Sequence, residues 1–568
     1  MVSSSDSLDP QQRAAVEAKE PAIAVLAGPG SGKTRVLAYR ARHLLSSDRK
    51  SQALLLTFTN KAAAEIKARA LGAANIPKER IEAVNYHTFG LKLLQAHGDL
   101  VGIAPSFELL DEEEGPALQR EIASENVIRD YARLRLTGQK LSDELQEFSV
   151  VYEKRKREEG VLDFDDLIVF SARLLKTRPD VARIYGLAYP HILVDEFQDT
   201  NASHFELVRA LVAHGRTISL FADDDQAIFG FTGADLRHVR KFVKELDAKQ
   251  YQLTVNYRCR SAIVDVANKL LDAEPSASDR RMTAHKSGGE VVVKVFDNSQ
   301  VEAKWLAEDL AATIARGCKP MDCAILVGTR FRVEDMMGHL TASGVPVSDW
   351  LGAAYPAASR RTLRACLAVV RDTMRPRQRT ALEKLYRLPK SQEENTAAFL
   401  QGHLRRAGIA ELVSAATMLR NSQAISVVLA QIQKSLACLG EWAADSITPI
   451  LDNVKALEDG KADFTVEHLL SDLALGGTGG APTEGGGVKI ATLHRTKGLQ
   501  WPNVYLVGLE EGHLPFYKAK TAEDLAAQHR LCFVGVCRAE SRLVLTRLRS
   551  HKGHAKAPSR FLREMGVV

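Results

Sequence analysis

Cysteine is scarce in this chain, with 7 among 568 residues, and no two stand in a C-x-x-C pair. Neither Cys318 with Cys323 nor Cys532 with Cys537 has the company that a zinc or iron–sulfur site needs. Scattered cysteines in odd number exclude a disulfide scaffold and fit reduced thiols. No apolar run approaches the ~18 residues of a membrane helix. The opening segment MVSSSDSLDPQQ lacks the basic and apolar regions of a signal peptide. A cytoplasmic location with no membrane partner is therefore expected. Charge of one sign is in no strong excess either. The 76 Lys and Arg against 70 Asp and Glu leave +6, which permits a nucleic-acid partner without demanding one. With 26% charged and 45% hydrophobic residues the composition argues against wholesale disorder. At ~150 residues per domain the length suggests three to four domains.

What is present is an alternation of short apolar runs with helical patterns. Ala22–Ala27 (AIAVLA) reads as a buried strand and Lys33–Leu45 as a helix. Ala53–Phe58 reads as a second strand and Asn60–Ala70 as a second helix. Strand-like runs return at Ile192–Asp195 and Ile218–Ala222. Strands apolar on both faces predict a parallel sheet covered by helices. From about Leu91 to Tyr189 the pattern is helical only, as expected of an insertion between strands of one sheet. The mixed-sign run Glu153–Glu159 reads as a solvated helix face. A second β–α series starts near Val291–Phe296 and Cys323–Gly328, and resumes at Val488–Thr492, Val504–Val507 and Leu543–Thr546. The stretch from roughly Arg377 to Leu475 is again helical. It ends in the glycine-rich Gly476–Gly487, a linker composition.

Between the first strand and first helix stands Ala27-Gly28-Pro29-Gly30-Ser31-Gly32-Lys33-Thr34, a P-loop with Ala in place of the usual first Gly. Glycines let backbone N–H groups turn toward phosphate oxygens, and the helix N-terminus adds positive potential. Lys33 is placed to reach the β- and γ-phosphates, and Thr34 to hold Mg²⁺. Downstream, Ile192-Leu193-Val194-Asp195-Glu196 ends an apolar run in two carboxylates, which puts Asp195 at a strand tip beside the P-loop. Asp195 suits a Mg²⁺ shell, and Glu196 suits acceptance of a proton from the attacking water. The pair of motifs predicts an NTPase that uses Mg²⁺, though not yet a particular one.

The rest of the chain resembles the superfamily 1A helicases of the UvrD/Rep/PcrA type, over nearly its whole length and in the family's order. Leu8-Asp9-Pro10-Gln11-Gln12 resembles the adenine-reading Q motif. Thr57–Glu65 (TFTNKAAAE) resembles motif Ia, and Tyr86-His87-Thr88-Phe89 motif Ib. Leu162–Leu167 (LDFDDL) resembles the segment that precedes motif II, and Asp195–Thr200 (DEFQDT) is a very specific match to motif II. Asp223–Gly230 resembles motif III, Asn256-Tyr257-Arg258 motif IV, Thr492–Leu499 motif V and Arg530–Ala539 motif VI, while Pro558–Leu562 fits the family's ending.

The resemblance implies two RecA-like P-loop domains of α/β class, each with a helical insertion. The first, 1A, comprises 1–90 and 190–255 and carries insert 1B at 91–189. The second, 2A, comprises 256–376 and 486–568 and carries insert 2B with its linker at 377–485. It also implies roles. Gln12 reads adenine and Tyr257 stacks on it. Ala27, Gly28, Gly30, Ser31, Gly32 and Arg35 complete the nucleotide site, and Gln500 stands where the family contacts the ribose. Gln226 senses the γ-phosphate, and Arg258 and Arg538 are arginine fingers. For the strand path the candidates are Phe58, Asn60, His87, Phe89, Phe229, Phe231, Thr232 and His494, because base–aromatic stacking needs no sequence code.

Departures are Phe231-Thr232 where the family has Trp-Arg, Gln500 in place of Glu, Ala527-Gln528-His529-Arg530 opening motif VI, and a short 2B. The implied activity is ATP-dependent 3′→5′ translocation and unwinding in repair, recombination or replication restart. The implied partners are single-stranded DNA and single-strand/duplex junctions. A DNA-sensing ATPase subunit gating a partner nuclease in antiphage defence is the alternative. Self-association, or a repair or nuclease protein as partner, stays open.

Overall fold

A computed structural model of the chain describes residues 8–72, 76–104, 107–110, 114–137, 139–230, 233–329, 339–349, 362–367, 408–420, 424–439 and 486–567, with isolated positions between 336 and 469. Two six-stranded sheets organise these residues, and every pairing within them is parallel. The first holds β1 (Ala22–Ala27), β2 (Ala53–Thr57), β3 (Ile81–Asn85), β4 (His191–Val194), β5 (Thr217–Ala222) and β6 (Lys249–Leu253), in the spatial order β3-β2-β4-β5-β1-β6. The second holds β7 (Glu290–Phe296), β8 (Cys323–Val327), β9 (Val347–Asp349), β10 (Val488–Thr492), β11 (Trp501–Val507) and β12 (Ala539–Leu548), ordered β7-β12-β11-β8-β10-β9. The α/β class and the parallel, helix-covered sheets agree with the sequence reading.

The alternation of side chains along each strand divides the core in two. Leu54, Leu56, Ile192, Val194 and Leu220 face one cluster, and Ile23, Val25, Leu55, Leu193 and Phe221 the other. The second sheet repeats the scheme, with Leu326, Val504, Leu506 and Leu545 against one layer and Ile325, Tyr505, Val507 and Val544 against the opposite one. Burial on both faces accounts for the unbroken apolar runs.

Two expectations need correction. The segment between β3 and β4 is not purely helical, since Glu108–Leu109 pairs in parallel with Val161–Leu162. Nor is Glu153–Glu159 a simple solvated face. Lys156 turns inward to 1% exposure and meets Glu153 at 3.0 Å, Asp163 at 3.1 Å and Asp166 at 2.5 Å. Arg135 joins the same carboxylates, reaching Asp163 at 2.9 Å. Two buried cations shared among three acids thus tie helix Asp143–Glu158 to helix Phe164–Thr177. Such a cluster tolerates burial only because each charge has a partner.

Within the stretch read as helical before the linker, Ile409–Arg420 and Ile425–Ala437 are helices that share a separate core cluster. The linker positions 476–485 lie outside the described residues. Among the described residues no helix is long and apolar enough to cross a membrane.

Candidate nucleotide and strand site

The carboxyl ends of the first sheet's strands, where ligand sites in parallel α/β sheets gather, meet the loops that lead into the amino ends of β11 and β12 of the second sheet. After β1 the chain turns through Gly30 (φ 70°) and Gly32 (φ 80°) into helix Lys33–Ser47. Both glycines are required sterically. A Cβ on Gly30 would sit 2.6 Å from Asn256 Oδ1, and one on Gly32 2.8 Å from Gln12 Nε2. Ser31 Oγ closes the turn by donating to Gly28 O at 2.7 Å, and Gly28 N donates to Leu253 O of β6 at 3.2 Å. Ala27 ends β1 in the core, and Thr34 lies half-buried in the helix's first turn.

Asp195 and Glu196 follow β4. That strand is not the neighbour of β1, because β5 lies between them. The carboxylates reach the loop nonetheless, since Lys33 extends across the sheet end to Glu196 at 2.6 Å and to Asp195 at 3.7 Å. Burial opposes the charge on Lys33, but the two acids hold it above the ordinary lysine range. Burial pushes Asp195 upward in spite of Lys33. Burial also opposes ionisation of Glu196, yet Lys33 and Lys497 hold it well below the usual carboxylate range. Glu196 sits in the left-handed region at φ 52°, a conformation costing about 1–3 kcal/mol for a non-glycine residue. Its strain aims the carboxylate back over the P-loop lysine.

Among the described residues no group of three or more His, Cys, Asp or Glu could cage a metal. That fits Mg²⁺, which keeps waters and takes only one or two protein oxygens beside phosphates. Asp195, buried at the end of β4, and Thr34, in the first turn of the P-loop helix, are the residues that would offer those oxygens.

Three cationic side chains from the part of the chain that follows β6 enter the site. Arg538, 1% exposed, donates through Nη2 to Gln226 Oε1 at 2.9 Å, and through its other N–H groups to Val534 O and Leu499 O, both at 2.9 Å. The Gln226 amide in turn donates to Asp223. Arg258 bonds Gln500 Oε1 at 2.6 Å and Cys537 O at 3.2 Å, so Gln500 orients an arginine in this structure. Lys497 reaches Asp199 at 2.5 Å, Gln226 O at 2.7 Å and Glu196 at 3.7 Å, with its ammonium 5.4 Å from the Phe229 ring centroid.

Lys497 was not singled out in the sequence. The sequence offered only its place between Thr496 and Gly498, shortly after the strand-like run Val488–Thr492. Asn256 was also passed over. Its side chain accepts from Arg258 N at 2.9 Å and Cys259 N at 2.8 Å and packs against Gly30. So was Gln198, which bridges Glu196 to Asp223 N.

At the other end of the P-loop, Gln12 is 2% exposed and donates to Ser31 O at 2.8 Å. Asp9 caps helix Pro10–Val16 and accepts the Tyr257 hydroxyl at 2.6 Å. Burial, then Asp9, push Tyr257 up to about 12. Tyr257 N donates to Gly30 O at 2.9 Å, so the Q-motif helix, the P-loop and motif IV form one cluster. Arg35 lies over the Tyr39 ring at 5.5 Å.

The strand candidates divide. Phe229 is half-buried at the edge of the site, and a Cβ on the following Gly230 would meet open space. Phe58 packs on Tyr86 and His204 at 5.1 and 5.4 Å, half-buried. Asn60 opens helix Asn60–Leu71, within 3.5 Å of Thr88 Oγ1. Burial lowers His87 to about 4 and lowers His494 as well. Phe89 is 3% exposed inside the core, edge-on to Tyr185; no base can stack on a ring held there. Phe231 and Thr232 lie outside the described residues.

The pattern of known proteins agrees with this geometry. The model of the UvrD/REP helicase N-terminal domain matches residues 8–140 and 129–247, and that of the UvrD-like helicase C-terminal domain matches 251–414 and 446–550. The chain is similar to the ATP-dependent DNA helicase PcrA of Staphylococcus epidermidis, 24% identical over 630 aligned positions covering 98% of this chain and 86% of that protein. It is similar to the protein of the same name from Staphylococcus aureus at 25% identity with the same coverage. The two matched blocks span both parallel sheets and nearly every motif of the site, and on that evidence the chain belongs to the UvrD/REP helicase family.

Proposed function

We propose that the protein is an ATP-driven DNA motor, a 3′→5′ single-strand translocase that opens duplexes, acting in repair, recombination or replication restart. Lys33 binds the terminal phosphates, Glu196 accepts the proton of the attacking water, and Thr34 and Asp195 hold Mg²⁺, which supplies charge neutralisation at the phosphates. Gln12, Arg35 and Tyr257 bind the base end of the nucleotide. Arg258 and Arg538 stabilise charge on the transferring group. In this reading 1–90 with 190–255 and 256–376 with 486–568 are the two RecA-like halves, and the helical segments between them are inserts.

The observation that carries the reading is the Arg538–Gln226 hydrogen bond at 2.9 Å. It supports a site completed from two sheets, so that hydrolysis depends on how those sheets sit together. A strand lying across both would then govern turnover. ATP hydrolysis measured with and without single-stranded DNA tests this. A rise of at least tenfold is expected, ~1.4 kcal/mol of barrier, and equal rates would count against a motor.

A further inference from the structure

Helix Arg237–Glu245 (RHVRKFVKE) begins seven residues after Gly230 and turns Val239 and Phe242 inward. Phe242 meets Phe197 of the DEFQDT turn at 5.2 Å and Phe205 at 5.6 Å, both edge-on. The His238 ring lies 3.0 Å from Thr200 O, and Asp235 N donates to the same carbonyl at 3.1 Å. The helix is therefore fixed to the turn that carries Asp195 and Glu196.

Its opposite face presents Arg237, Arg240, Lys241 and Lys244, spaced i, i+3, i+4 and i+7 in one row about 10 Å long. All four are exposed, Arg237 to 85%. Arg237 pairs with Asp235 at 2.7 Å and Lys241 with Glu245 at 3.8 Å, while no ion pair among the described residues engages Arg240 or Lys244. Exposed Lys249 opens the adjoining β6. No large apolar side chain is exposed between 237 and 249, so this face lacks the anchor that a protein interface needs at its centre. A row of cations without such an anchor suits a polyanion. The row starts seven residues past Gly230, on a helix packed against the DEFQDT turn.

We propose that this helix face is a sequence-independent contact for the phosphate backbone of a single DNA strand that continues past Gly230. It extends the strand path beyond the stacking residues and rests on the single-strand reading above.

The test uses the full chain carrying Arg240→Gln and Lys244→Gln, two exposed positions outside the nucleotide site. Binding of oligothymidylates of about 8 and about 30 nucleotides is measured against salt concentration. Loss of two phosphate contacts should lower the log–log salt slope on the long strand by about 1.4 and leave the short strand nearly unchanged. An unchanged slope on the long strand would overturn the proposal, and is the outcome expected if the face serves an acidic protein instead. Wild-type protein that binds neither oligonucleotide would instead overturn the single-strand reading itself, which separates the two failures.

Discussion

Arg538 and Gln226 meet at 2.9 Å, a guanidinium placed before β12 of one sheet against a carboxamide placed after β5 of the other. The arginine is held by backbone carbonyls on its remaining donors, and Gln226 by Asp223. Burial, with Arg258 nearby, lowers Arg538 to about 10, which still leaves it charged at neutral pH. The pair thus joins a preorganised cation to a carboxamide across the two sheets.

Removing either member should therefore uncouple the halves. Arg538→Ala is expected to reduce ATP turnover at least about 100-fold, ~2.7 kcal/mol. Gln226→Ala should retain basal hydrolysis and lose its stimulation by DNA. Because the residues share one bond, the double variant should be no worse than Arg538→Ala alone, and steady-state kinetics of the cycle would expose additive losses.

Among the described residues Lys33 pairs with Asp195 and Glu196, and the strand candidates lie on other loops. Lys33→Ala should abolish hydrolysis while single-strand binding stays within about twofold. Glu196→Gln should bind ATP yet not turn it over, since the amide cannot accept a proton. Nucleotide-binding fluorescence beside phosphate release separates the two variants; near-normal turnover in either would remove these residues from the site.

Lys497 joins Asp199, Glu196 and the Gln226 carbonyl, and both it and Asp199 are nearly buried. Lys497→Met leaves Asp199 buried without its partner, which should destabilise the fold by about 3–5 kcal/mol. Adding Asp199→Asn should recover part of that loss. Urea unfolding of both variants measures it, and no recovery in the double variant would show that the lysine acts elsewhere.

Much of this arrangement was legible in the chain, for reasons that differ by element. β1, β2, β4 and β5 are buried on both faces, so their apolar runs announce them. β6 is an edge strand reading KQYQL, largely exposed, and carries no apolar signal. The P-loop and DEFQDT were plain because phosphate chemistry restricts residue type at fixed spacing. Lys497 was not, because its partners Asp199 and Gln226 are 298 and 271 residues away, and single-chain spacing says nothing about contacts across a cleft. Phe89 shows the reverse error: a motif position suggested a stacking ring where the fold has a core side chain.

His204 is 6% exposed, with both ring nitrogens unpaired, against Tyr86 at 4.5 Å. Burial, reinforced by His87 and His238, holds it well below the ordinary histidine pKa. A histidine depressed in the folded state takes up its proton on unfolding. Its stabilising effect is complete above about pH 6.5 and declines as pH falls below that value. At about pH 5.5 the loss from this one group is about 1.4 kcal/mol. His204→Gln should shrink the drop in unfolding free energy between about pH 7.5 and 5.5 by that amount. An unaltered pH dependence would place the titrating group elsewhere.

The central claim is directed, ATP-driven movement along one strand. Its most direct test is displacement of streptavidin from oligonucleotides biotinylated at one end or the other. Release is expected to depend on ATP, to be faster from the 5′ end than from the 3′ end, and to be abolished in Lys33→Ala. Faster release from the 3′ end would contradict the polarity, and no ATP-dependent release from either end would contradict the motor.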